Sequence, residues 1–392
     1  MTFSTRNFAL ITMAALGLAC DHPVDVAQIA TVPKAGSFDL ANACGSVVEA
    51  ASGGIFTFSQ SSTLTLQVDS RSGDGTIAWS KILPTRFPSC TGAVGTSGNL
   101  VVATSDTVFS LNAGTGAIRW RFAAGNVRIA TSSTGKIFLS RDAFSNTPAM
   151  LYALSETDGS VVWSRTVDNL GAPFVDDVRS TVYYVRRAGA VAMDLSSGTV
   201  KWETLPLGSD LTTDAAIASD GTLLIGRIND FSGEITAFGT DGTRIWRNAT
   251  PTPRQLVGSP VIDDAGTVYS PAWINQYGAG VYAFSVTTGD TKWKHDFDRI
   301  QSNVAVDANR TVFVIARATA DSAYQVYGLR DGAIVSAVPA LTINDSHPIT
   351  IHSNKLLYYV TTNKVVFTPT AGLSATAAWP VDKHDAKRSA HR

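Results

Sequence analysis

The sequence predicts an all-β fold: eight repeats of four short antiparallel strands, closed into one eight-bladed propeller. Three observations predict it. First, the phrase Gly-x-x-x-Trp recurs six times, ending at Trp79, Trp120, Trp163, Trp202, Trp246 and Trp293. The spacings of 41, 43, 39, 44 and 47 residues are those of a four-stranded blade. Second, the segments between them alternate apolar and polar residues with period 2, the pattern of half-buried strands. Third, Asp-Gly and Thr-Gly pairs stand where hairpins must turn, as at Asp158-Gly159 and Thr288-Gly289.

The elements follow in order. An apolar run from Phe8 to Ala19, after the single cation Arg6, is about half the length that spans a bilayer. It reads as a secretory signal over residues 1–19. Cys20 follows directly, so lipidation of Cys20 is expected, with plain secretion as the alternative. Residues 20–36 hold Pro23 and Pro33 and no sustained period, so they read as a tether. The propeller is expected over 37–380, and the basic end KHDAKRSAHR, within residues 381–392, as a disordered tail.

Unit six shows the blade plan most plainly: GSPVID, a turn at Asp264 to Gly266, TVYSPAW, VYAFSV, a turn at Gly289, then TKWKHDF. In unit seven Ser336 replaces the tryptophan, and a looser eighth copy (AGLSATAAW) ends at Trp379. Seven blades is the alternative count. Segment 37–44 (SFDLANAC) is expected to close the ring beside the last blade, which removes exposed edges. The seven tryptophans, Trp379 included, are read as docking each blade onto the next. An indole brings a large apolar area and an N–H for a backbone carbonyl. An oxidising compartment would let Cys44 and Cys90 pair; two separate buried thiols are the alternative.

Composition narrows the function. In 392 residues, 31 Lys and Arg balance 32 Asp and Glu, so no basic field for nucleic acid exists. Charged residues make up only 16%, below the usual ~25%. One charge pattern is local. Arg141, Arg186 and Arg227 share a register at the end of the second strand (IFLSR, VYYVR, LLIGR), and Arg317 stands one residue off it. On a ring such positions form an arc. The loops around it carry Phe144, Trp273 and Tyr277. Arginine with aromatics is the composition of binding hot spots, so this arc, with Trp273 and Tyr277, is the candidate partner-binding face. Pairing of each arginine with a neighbouring Asp or carbonyl is the structural alternative.

The units LYALSETDGSVVW, VYAFSVTTGDTKW and VFSLNAGTGAIRW resemble the pyrroloquinoline-quinone-like propeller repeat, over roughly residues 45–380. The repeat occurs in quinone-dependent dehydrogenases. It also occurs in non-catalytic envelope lipoproteins, among them the propeller subunit of the outer-membrane barrel assembly machinery. The enzymes resembled carry adjacent cysteines over the cofactor, and many a Cys-x-x-Cys-His haem motif; neither occurs here. His22, His295, His347, His352, His384 and His391 form no metal-ligand spacing. Asp263-Asp264 and Asp307 to Asn309 read as turns. The resemblance therefore implies a scaffold without catalytic residues, cofactor or metal, binding other envelope proteins and touching the membrane through its lipid alone. A dehydrogenase-like or small-ligand propeller using the central channel is the alternative.

Overall fold

A computed structural model describes residues 34–377, apart from 62–63, 86–89, 144–146, 168–170, 187–188, 205–210, 229–232, 250–254, 257–258, 275–277, 341–348 and 362. The propeller has eight blades, each an antiparallel meander, and neighbouring blades meet through their first strands. Blade 1 runs Ala43–Glu49, Ile55–Ser61, Thr65–Arg71 and Ile77–Pro84. Blade 3 runs Val127–Ser132, Lys136–Arg141, Ala149–Ser155 and Val161–Val167. In blades 6 and 7 the first strand is broken into two short pieces, Gln255–Leu256 with Val261–Ile262 and Arg299–Ile300 with Ala305–Val306. The continuous strand read over GSPVID is thus corrected to a shorter one.

The eighth blade joins the two ends of the domain. Its first three strands are Thr350–Ile351, Leu356–Val360 and Lys364–Pro369, and its fourth is the N-terminal Gly36–Asp39, paired from Gly36 with Phe367 to Asp39 with Lys364. Closure is therefore narrower than segment 37–44, because Cys44 already belongs to the first strand of blade 1. The looser copy AGLSATAAW does not supply the fourth strand either. After Pro369 the chain turns away, and residues 370–377 lie across the turns of blades 8, 7 and 6. Thr370 N–H donates to Lys355 O at 2.8 Å, Ala308 N–H to Gly372 O at 2.8 Å, and Ser374 Oγ to Asp264 Oδ2 at 3.2 Å. Trp379 lies outside the described residues.

Apolar side chains cluster between blades rather than in one central core. Phe138 and Trp163 of blade 3 pack with Val175, Val182 and Tyr184 of blade 4. Val304 and Val314 of blade 7 pack with Val261 and Val281 of blade 6. Inner strands are not half-buried as the alternation predicts: Leu100–Ala103 and Val108–Leu111 are buried at every position. Successive side chains point to opposite faces, so such runs give a sheet two apolar faces, and each neighbouring blade covers one of them.

Candidate functional site

The meander gives the ring two unlike faces. The turns joining first to second and third to fourth strands lie on one face. The second-to-third connections and the links between blades lie on the other.

On the turn face, tight turns are tied blade to blade. Glu156 of blade 3 is buried. It accepts from Thr96 N–H at 3.2 Å, Thr96 Oγ1 at 2.7 Å and Ser97 N–H at 3.0 Å of blade 2, and from the Ser97 hydroxyl. Asp177 accepts from Ser132 Oγ at 2.5 Å and Ser133 N–H at 2.6 Å. Arg310 Nε donates to Asp264 Oδ1 at 2.7 Å, and that bond holds the Asp264 carboxyl below its usual range. Glu49 accepts from Ser353 N–H at 3.2 Å, tying blade 8 to blade 1. Next to it His352 is fully buried, its Nε2 3.0 Å from Thr350 Oγ1 and its ring 4.5 Å from that of Tyr358. Burial pushes its pKa down to about 3, only partly opposed by the Val47 backbone. Tyr269 donates to Asp263 Oδ2 at 2.8 Å, and burial beside that carboxylate raises its hydroxyl well above the ordinary range. Asp263, Asp264 and Asp307 thus hold turns, as their residue types predict.

The tryptophans form one repeated joint. Indole N–H groups of Trp79, Trp120, Trp163, Trp202 and Trp246 donate to Ala113, Glu156, Leu195, Thr240 and Val286 carbonyls of the next blade, at 2.8, 2.9, 3.2, 2.7 and 2.8 Å. Each ring covers the glycine of that blade's last turn: Gly116, Gly159, Gly198, Gly242 and Gly289 in order. A Cβ on Gly198 would stand 2.7 Å from the Trp163 ring, so the glycine permits both the close approach and its φ of +68°. Trp293 meets Gly332 more loosely, at 3.3 Å through its Cβ.

On the loop face, Arg141, Arg186 and Arg227 are equivalent in register, each four residues beyond Ile137, Val182 and Leu223, which pair with Leu154, Met193 and Phe238. Arg317 falls one residue later. Its Nε donates to Asp298 Oδ2 at 2.5 Å, and its guanidinium lies 5.8 Å from the Tyr324 ring. Arg141 donates to Pro148 O at 3.2 Å and sits 5.9 Å from the Tyr152 ring. Arg141's partners lie in its own blade; Arg317's carboxylate, Asp298, lies in the link from blade 6 to blade 7. The arc is backbone-aligned, but Arg317 is engaged by an acid and an aromatic. Of Trp273 the structure describes the strand position, opposite Gln255 and Ala279. Tyr277, His347 and Cys20 lie outside the described residues. Cys44 and Cys90 form a disulfide on this face, joining the first strand of blade 1 to the entry of blade 2.

Sequence reading missed two features: the segment 370–377 across the turns of blades 6 to 8, and the carboxylate ties between turns. The looseness of the last copy signals the first; no repeat pattern signals the second. Among the described residues, no three His, Cys, Asp or Glu side chains come together as a metal-binding group, and no helix is long and apolar enough to cross a membrane.

Comparison with known proteins places this architecture. The crystal structure of BamB from Moraxella catarrhalis is similar with a TM-score of 0.63 at 18% identity, over 86% of this chain and 99% of that one. The C-terminal WD40 domain of Sif2 gives 0.62 at 11%, over 86% and 99%. The quinohemoprotein alcohol dehydrogenase from Comamonas testosteroni gives 0.61 at 13%, over 90% and 78%. At these identities the structures share the fold alone. No curated protein matches in sequence. Residues 128–337 match the family described as outer membrane protein assembly factor BamB, and the chain belongs to that family.

Proposed function

We propose that this protein is a non-catalytic, protein-binding scaffold of the bacterial envelope that assists outer-membrane protein assembly. The observation that carries the proposal is the family match over residues 128–337, which spans the units bearing Arg141, Arg186, Arg227 and Arg317. In this reading the chain faces the periplasm and is held at the membrane by a lipid on Cys20. The loop face docks an envelope protein with acidic or extended segments. Arg141, Arg186 and Arg227, which share one strand register, are the proposed donors, with Trp273 and Tyr277 as the proposed aromatic contacts. Arg317, paired with Asp298, contributes less.

The test is capture from detergent-solubilised envelopes with tagged protein, wild type against Arg186→Glu with Arg227→Glu. The scaffold reading expects barrel-assembly components in the wild-type capture and their loss in the variant. Capture unchanged by the double reversal ends the arginine-arc reading. Mass spectrometry of the mature N-terminus tests the lipid on Cys20.

A further inference from the structure

Blade 7 is the one full blade whose outer strand lacks both a tryptophan and a charge. That strand, Ala333–Pro339, reads AIVSAVP and is exposed at all seven positions, with Ile334, Val335 and Val338 at 44%, 51% and 39%. The other full-length outer strands carry cations: Lys81 in blade 1, Arg119 and Arg121 in blade 2, Arg165 in blade 3, Lys201 in blade 4, Arg244 and Arg247 in blade 5, Lys292 and Lys294 in blade 6. The short closing strand carries Asp39, paired with Lys364.

The architecture explains the missing tryptophan. A tryptophan needs the glycine of the next blade's last hairpin. Blade 8 has no such hairpin, because its fourth strand is Gly36–Asp39 and residue 370 onward leaves for the turn face. At position 336 a large ring would have nothing to cover. The architecture does not explain the missing charges. An outer strand presents unpaired N–H and C=O groups, and lysine or arginine there deters another strand from adding. Blade 7 has no cation over these seven residues, and its one deterrent is Pro339 at the end of the strand.

We infer that Ala333–Pro339 is a strand-addition edge, and that its occupant is an extended, uncharged, alternately apolar segment of another polypeptide. Backbone bonds would hold it, and apolar side chains on both faces of the strand would meet its own. An uncharged occupant matches an uncharged edge. The edge is also too short for a stable pair of copies: seven residues cannot bury the ~1,200 Å² or more that specific, lasting interfaces bury. A short transient contact suits a chain that must later leave. Strands of membrane barrels have this alternating, uncharged outward face. For that source of the strand the inference rests on the assembly reading; for the edge itself it does not.

The test uses the full chain and a fluorescein-labelled ten-residue peptide of alternating Val and Thr, with a second peptide bearing Lys at the Val positions. Anisotropy is expected to rise with the first peptide only, and amide exchange at 333–339 to slow on its addition. Val335→Lys with Val338→Lys places a cation on each face of the strand and should weaken binding at least about tenfold. Because both sites are exposed, its melting curve should match wild type; if it does not, the wild-type exchange pattern still decides. Val161→Lys in blade 3 should change nothing. Absence of peptide binding, binding unaffected by the double variant, or no slowing at 333–339 overturns the inference. So does a dimer mass in sedimentation without peptide that the double variant abolishes, since a second copy would then be the occupant. Peptide binding that holds while envelope capture fails sinks the assembly reading and leaves the edge.

Discussion

Phe38 of the closing strand lies on Gly75 of blade 1, so near that a methyl group there would stand 2.6 Å from the ring. It is the same joint that Trp163 makes with Gly198, built by a residue that precedes the first repeat. The phenyl ring also lies 5.1 Å from the Arg71 guanidinium. Phe38 and the four-residue ladder thus join the Glu49–Ser353 tie and the apolar cluster of Val47 and Ile55 with Tyr358 and Val360 in closing the ring. Phe38→Ala should cost about 2 kcal/mol, below the ~3–5 of a fully buried phenylalanine. Chemical denaturation checks it; a variant as stable as wild type would show that the Phe38 joint is not needed for closure.

The Trp163 joint separates packing from hydrogen bonding. Trp163→Phe keeps most of the ring and loses the bond to Leu195 O, at about 1 kcal/mol. Gly198→Ala should cost more, about 2–3 kcal/mol, through both the clash and the positive φ. Thermal unfolding of the two variants, compared directly, gives the order.

The Cys44–Cys90 disulfide encloses a sequence separation of 46 residues. Its loss through Cys44→Ala with Cys90→Ala should lower stability by about 3–4 kcal/mol, chiefly by freeing the unfolded chain. Expression of wild type in a reducing compartment should reproduce the deficit. Equal unfolding midpoints for oxidised and reduced protein would count against it.

Buried His352 makes stability depend on acid. Its folded pKa, about 3, lies below the ordinary 6.5 of the unfolded chain. Between those values the unfolded state binds the extra proton, so stability is complete above about pH 6.5 and is lost as pH falls toward 3. His352→Gln should flatten that part of the curve relative to wild type, by an amount up to a few kcal/mol. Urea midpoints from pH 7 to pH 4 measure the difference; parallel curves would refute the assignment.

Glu156 holds the turn of blade 2 through four donors. Glu156→Ala strands those groups and should destabilise by about 2–4 kcal/mol, whereas Glu156→Gln should lose less. Hydrogen exchange at Thr96 and Ser97 should rise in the first variant well before global unfolding does.

The tryptophan period set the blade plan and showed which residues join most blades; eight rather than seven blades followed from the closing strand Gly36–Asp39. A ring of like units needs the same joint at each step, and the joint needs a large ring and a glycine at fixed spacing. The sequence also placed the arginines in register, because register is a count along a strand. What those arginines touch was not legible: the Asp298 that engages Arg317 sits in a connection with no repeat phase. Tertiary structure alone decided how the ring ends. Trp379 looks like an eighth joint, yet closure falls to Phe38, because joining the two termini in one blade makes the last copy's fourth strand redundant. That choice frees residues 370–377 for the turn face and leaves the outer strand of blade 7 without a next-blade turn glycine to cover. The missing tryptophan of blade 7 is therefore a consequence of closure, and no local pattern in AIVSAVP distinguishes that strand from a buried one.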